Sequence, residues 1–280
     1  MITKKEISET LSLSCVENYF LAWLNRYYDV TKLYGNSFIS LKQAFDDFAN
    51  GAMYQNYCYL PRLQDIAEEY GVVEHLYLPC SAKEALKILG NQNEDDLFLI
   101  RVNTAFFIGY KRSSWREDHY ICVNNKLEWI NEYPLSEGKF TEERFTEVYD
   151  GAVCIYKVKD TKTDLPDYAS MQFKMQDFDL KELPNNLSAL ESAIGVLRVS
   201  RKRLARYYFK NENVNSLLNE EIGCMDKIYF DVHLRRLKEF KKEEVNKIKA
   251  YSELYQKIVY ILEIEKKVVE IGRASCRERV

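Results

Sequence analysis

The apolar positions of the chain fall into two textures. In the first, Val16, Tyr19, Phe20, Trp23, Leu24 and Tyr27 recur three and four apart, the spacing of one buried helix face. Ser14 stands before that face as an N-cap, and Glu17 three residues later predicts a capping box. Residues 34–37 read as a turn. Ser40 then caps a short helix carrying Leu41, Ala44, Phe45 and Phe48, closed near Gly51. Pro61 opens another, with Leu63, Ile66 and Tyr70 inward and Gly71 at its end. Residues 72–78 alternate as a strand. Ser81 and Glu84 predict a second capping box, ahead of Leu86, Ile88 and Leu89 and before Gly90. Residues 91–96 are a polar turn.

The second texture begins at Leu97. Residues 97–102 form a nearly continuous apolar run, the pattern of a central strand buried on both faces. A charged loop over 111–118 leads to a strand at 119–123. Asn124-Asn125 predicts a hairpin into 127–130, and 131–134 is expected to break that strand. Thr141 caps a short helix ending before Gly151, and 152–158 is the last strand. The pattern predicts an α+β domain over 1–159, with a helical half and an antiparallel sheet half sharing a core. Residues 160–185 are polar with two prolines and read as a linker or crossover. An all-α domain follows over 186–270. Ser188 and Glu191 suggest a third capping box, and Leu190, Ile194, Leu197, Leu204 and Tyr208 form a stripe. Gly223 is expected to interrupt, and Ile228, Val232, Leu237, Val245, Ile248, Tyr255, Ile258 and Leu262 carry two further helices. Residues 271–280 resemble the in-frame translation of a sequencing adapter. They are expected to be a non-native tail outside the fold, with the helical domain truncated; this sets Cys276 aside.

Composition narrows the function. The chain has 280 residues, 46% hydrophobic and 30% charged, enough for a sizeable core. A net charge of −3 provides no basic field, so nucleic acid is not an expected partner. No apolar run is long enough to span a bilayer and the first residues lack a signal peptide's apolar stretch, so no membrane partner and a cytoplasmic location are expected. Seven cysteines without a CxxC pair fit reduced thiols better than a disulfide frame or a zinc site. With three histidines in all, neither a metal site nor a cofactor is expected.

The chemistry concentrates at three places. Cys15 opens a helix, where unpaired N–H groups and the helix dipole favour a thiolate. His119 starts a strand about a hundred residues later, and Asn131 lies after the next one. A nucleophile needs a base within hydrogen-bond reach and the base needs an orienting partner. A tight hairpin between their strands can bring His119 and Asn131 together. Glu132 is the competing orienter, although regular alternation points it to the opposite face from Asn131.

Residues 11–158 resemble the N-terminal domain of the butirosin biosynthesis protein H family, a papain-like cysteine fold. The residues that carry the likeness are Leu13-Ser14-Cys15, the strand Phe98-Leu99-Ile100-Arg101-Val102-Asn103 with Phe106 and Phe107 after it, and Asp118-His119-Tyr120-Ile121-Cys122-Val123. The resemblance implies transfer of an acyl group from an acyl carrier protein thioester to a small amine-bearing acceptor, in antibiotic or nonribosomal peptide biosynthesis. Cys15 would match the family's nucleophile, His119 its base and Asn131 its third residue. An acid is more usual in the family at positions such as Asn103 and Asn131. The region after Asp160 resembles the family's helical C-terminal region in type only.

Two other functions stay open on sequence. The same side chains would serve a cysteine peptidase or amidase, and the fold would also serve a non-catalytic scaffold of a biosynthetic assembly line. His75 and His233 read as structural, and Cys58, Cys80, Cys122, Cys154 and Cys224 as buried or incidental. The run Arg198, Arg201, Lys202, Arg203 and Arg206 reads as a solvated helix face, or else as a dock for an acidic carrier protein or its phosphopantetheine phosphate.

Overall fold

The computed structural model describes residues 1–52, 62–103, 118–159, 165, 186–240 and 247–277. Pro61, Cys58, the loop over 111–117 and almost all of the 160–185 linker lie outside these residues. The chain forms two compact units, Met1–Val30 with Arg62–Pro166 and Thr31–Pro61 with Asp167–Val280. The segment from Thr31 therefore groups with the helical residues, not with the sheet that follows it in sequence.

The first unit is mixed α+β. Its helices are α1 (Lys4–Ser8), α2 (Cys15–Leu24), α4 (Leu63–Glu69), α5 (Ala82–Gly90) and α6 (Glu142–Val148). Its strands are β1 (Val73–Pro79), β2 (Leu97–Asn103), β3 (Asp118–Val123), β4 (Glu128–Glu132), β5 (Leu135–Lys139) and β6 (Tyr149–Val158). They form one antiparallel sheet of order β1-β6-β2-β3-β4-β5. The apolar run of β2 is explained by its place between β6 and β3 with both faces covered. On one face Phe98, Ile100, Val102, Ile121 and Val123 pack with Ala85 and Leu89 of α5 and Phe145 and Val148 of α6. On the other, Phe20 of α2 meets Tyr156 at 5.1 Å between ring centroids, with Trp23 beside it.

The sheet departs from the sequence reading in two places. The strand does not break at 131–134. β4 continues through Asn131 and Glu132, and a tight turn returns the chain into β5, with Glu132 opposite Leu135. β5 carries Ser136, Glu137 and Gly138 on the sheet's edge, so it has no apolar signal. Gly138 is required there because the Trp129 indole lies over it; a Cβ would come within 2.6 Å of that ring. Likewise β6 starts at Tyr149, before Gly151. Gly151 takes a φ of 76° where the pairing with β2 shifts register, a bulge rather than a strand boundary.

The second unit contains α3 (Leu41–Ala49), α7 (Leu187–Tyr207), α8 (Glu212–Phe240) and α9 (Lys247–Arg277). Ser40 caps α3 as expected, accepting from the Gln43 N–H. The third capping box does not form. Asn186 caps α7 by accepting from the Ala189 N–H, Ser188 lies inside the helix, and Glu191 turns to His233 and Arg236. Gly223 does not interrupt α8, because Leu218, Met225, Ile228 and Val232 keep one buried stripe through it. Leu237, expected inward, is exposed, and Val245 lies outside the described residues. α9 continues into the tail as far as Arg277. Ile271 extends the spacing of Ile264 and Val268 and packs against their cluster, so the tail's first residue joins the fold.

The basic run also departs from a solvated face. Arg201 and Arg203 are fully buried. Arg201 donates Nε to Glu221 at 2.8 Å, Nη2 to Glu265 at 2.5 Å and Nη1 to the Ser200 hydroxyl at 3.0 Å. Its guanidinium lies 4.7 Å from the Phe38 ring centroid, while Arg203 lies over Tyr34. These contacts bind the segment after Thr31 to α7. One guanidinium faces two carboxylates, and burial pushes the Glu265 carboxyl up to about 8.

Glu265 therefore holds a proton more tightly in the folded protein than in the unfolded chain. Its stabilising contribution is full below the ordinary carboxylate range and is lost as pH rises through about 8. Thermal unfolding followed from about pH 5 to 9 should show stability declining over this interval, and Glu265→Gln should flatten the decline. An identical slope in the variant would contradict this assignment.

Candidate active site

Cys15 is the first residue of α2, and the Ser14 hydroxyl accepts from the Glu17 N–H at 3.2 Å. The predicted capping box is only half formed. The Glu17 carboxylate accepts from the Leu13 N–H at 2.7 Å and the Leu63 N–H at 3.4 Å. Buried, it ties the start of α2 to the start of α4 rather than closing on Ser14.

β3 and β4 form a fork in front of Cys15. Their pairing covers Cys122 with Ile130 and Val123 with Trp129, and stops there. Each strand still holds its outer neighbour: β3 pairs with β2 to Asp118, and β4 with β5 to Glu132. Backbone donors released in the fork must find other acceptors, and α2 supplies them. The Tyr120 N–H donates to the Cys15 sulfur, and the Glu132 N–H donates to the Tyr19 hydroxyl at 2.8 Å. The Tyr120 nitrogen is covalently attached to the carbonyl carbon of His119, so the sulfur lies beside the peptide unit that carries His119.

His119 and Asn131 span the same fork. His119 Nε2 lies 2.6 Å from Asn131 Oδ1. The other end of the fully buried Asn131 amide, Nδ2, donates to the Pro134 carbonyl at 3.0 Å. That second bond fixes which end faces the histidine. An amide oxygen only accepts, so Nε2 must carry a proton, and Nδ1 is the nitrogen left to accept one. Proximity of the pair, which the hairpin suggested, is thus observed with its orientation.

Glu132 belongs to the α2 side of the fork. The Asn18 side chain hydrogen-bonds its carboxylate, and burial raises its pKa against the opposing pull of His119. Asn18 is itself oriented by the Thr10 hydroxyl, which donates to its Oδ1 at 2.5 Å. The carboxylate is close enough to act electrostatically on both His119 and Cys15, while the direct hydrogen bond to the imidazole belongs to Asn131. Asn18 lies three residues after Cys15, and that helical spacing was the available sequence signal for it. No side-chain pattern could announce the roles of the Tyr120 amide and the Tyr19 hydroxyl.

The thiol departs from expectation. N–H groups of Val16, Tyr120 and Cys15 itself favour the thiolate, but burial outweighs them and Glu132 adds to the rise, pushing Cys15 up to about 11. The helix terminus alone would lower it. The resting group is therefore a thiol.

The remaining candidates lie elsewhere. Burial pushes Cys154 up to about 11 and Cys122 to about 12. Cys80 meets the Tyr149 hydroxyl at 3.1 Å, and Cys224 is half-buried on α8. His75 stacks on Tyr156 with ring centroids 4.5 Å apart, and His233 is paired with Glu191. Among the described residues no group of side chains could hold a metal ion, and no helix is long and apolar enough to cross a membrane. No family model, curated protein or solved structure matches this chain.

A half-buried thiol with a raised pKa reacts in proportion to its thiolate fraction. Iodoacetamide labelling of Cys15, located by peptide mapping, should be slow at neutral pH and climb about tenfold per pH unit toward about 11. A rate that levels off by about pH 8 would show a stabilised thiolate instead. Earlier labelling of Cys122 would contradict the ordering by burial.

Proposed function

We propose that the protein is a thiol-dependent acyltransferase that moves an acyl group from a carrier-bound thioester to an amine. The observation that carries this reading is the fork, where Cys15 meets the backbone beside His119 and Asn131 engages His119 through Nε2, not Nδ1. The order of helical nucleophile, sheet base and sheet orienter supports a papain-like organisation of the first unit. It agrees with what the resemblance to the butirosin biosynthesis protein H family implies. An acyl carrier protein as donor and a small amine as acceptor, in antibiotic or nonribosomal peptide assembly, belong to the same reading.

The steps balance without a further reactant. As the Cys15 sulfur attacks the thioester carbonyl, its proton passes to His119 Nδ1, and the N–H groups at the start of α2 face the developing oxyanion. The new carbon–sulfur bond forms, the old one breaks, and the departing thiolate takes the proton. In the second half an amine forms a carbon–nitrogen bond, gives its proton to His119, and the proton returns to the Cys15 sulfur as it leaves. A raised thiol suits this route. A thioester is already activated, its exchange with a thiol replaces one thioester by another, and no amide leaving group needs protonation. Asn131 holds the imidazole in the tautomer that both halves require.

Incubation with an acyl thioester, followed by intact-mass measurement, should show one acyl addition that is absent from Cys15→Ala. Added amine should discharge it with formation of an amide. Rapid release of free acid regardless of amine would place the protein among thiol hydrolases. An addition that persists in Cys15→Ala, or none in the parent, would overturn the thiol mechanism.

A further inference from the structure

The second unit contains a groove of about 330 Å3 between α7 and α8, unconnected with the thiol chemistry and not dependent on that reading. Arg198 and Lys202, one turn apart on α7, line it together with Arg236 of α8. Two of these cations are held in place. Arg198 pairs with Asp226 at 2.5 Å and lies 4.9 Å from the Tyr229 ring centroid. Arg236 pairs with the buried Glu191 carboxylate, which also meets His233 Nδ1 at 2.8 Å. A guanidinium has five N–H donors, so one carboxylate does not exhaust either arginine. Lys202 has no carboxylate partner among the described residues, and the cations lining the groove outnumber the acids that hold them.

We propose that this groove binds a phosphate monoester. Donors that approach from two helices suit a tetrahedral anion with several acceptor oxygens better than a planar carboxylate, which one guanidinium can satisfy alone. The Ser192 hydroxyl lines the same space and supplies a further donor. The groove is larger than a bare phosphate and lies within the range of small-molecule sites, which start at about 300 Å3. Val199 and the Tyr229 ring give the ester's organic part an apolar wall. The two paired arginines are already oriented, and Lys202 adds a third cation.

Phenyl phosphate is a suitable probe, titrated into the full chain by phosphorus NMR and calorimetry, with benzoate as the planar comparator. The parent should bind phenyl phosphate at least about tenfold more tightly than benzoate, and Lys202→Ala should weaken phenyl phosphate about tenfold or more. Lys238→Ala, which removes an exposed charge of α8 outside the groove, should leave the affinity unchanged. The proposal is overturned if phenyl phosphate does not bind, if benzoate binds equally well, or if the two lysine variants behave alike.

Discussion

The opening of the ladder between β3 and β4 is the constraint on which the candidate site depends. Two strands that part while each stays paired on its outer edge leave backbone N–H groups that no longer reach the carbonyls of the other strand. Leaving such a group buried and unpaired costs about 1–3 kcal/mol. α2 meets the demand with a sulfur and a phenol, accepting from Tyr120 and Glu132. The start of α2 is thereby fixed to the sheet by Cys15 and Tyr19, one turn apart. Cys15 takes its position as part of the sheet's own hydrogen-bond accounting.

The same opening explains the bond between His119 and Asn131. Side chains on the two prongs reach across the gap, where a closed ladder would set them against their opposite residues. The Pro134 carbonyl, brought back by the turn into β5, holds the far end of the Asn131 amide. The edge strand β5 thus helps to set the tautomer of the histidine. Burial raises the Cys15 thiol, so sulfur holds its proton at rest, and in the proposed reaction a base is needed only as the sulfur attacks.

Much of the site was legible in the sequence because its side chains are few and of distinct types. Cys15 behind a capping serine, His119 at the head of an apolar strand and Asn131 beyond a hairpin turn each have a local signature. The fork has none, since it depends on which backbone pairs are absent. β5 escaped because Ser136, Glu137 and Gly138 form a polar edge. Arg201 and Arg203 escaped for a different reason: a basic run reads as solvated, and the acids that make burial of Arg201 possible, Glu221 and Glu265, are on other helices. Glu17 and Glu191 have capping-box spacing, yet neither closes on its N-cap: Glu17 accepts from the nearby Leu13 and the remote Leu63 N–H groups, and Glu191 turns to His233 on another helix.

The proposed mechanism depends on His119 taking the proton from Cys15. The most direct measurement is the rate of acyl-enzyme formation from a thioester, by rapid-quench mass spectrometry, in the parent and in His119→Ala. If the imidazole is the base, the variant should form the acyl-enzyme about 10²-fold more slowly or worse at neutral pH, and strong alkali should narrow the gap by ionising the thiol directly. A variant shown by thermal unfolding to be folded, yet acylated at the parent's rate at neutral pH, would contradict the account.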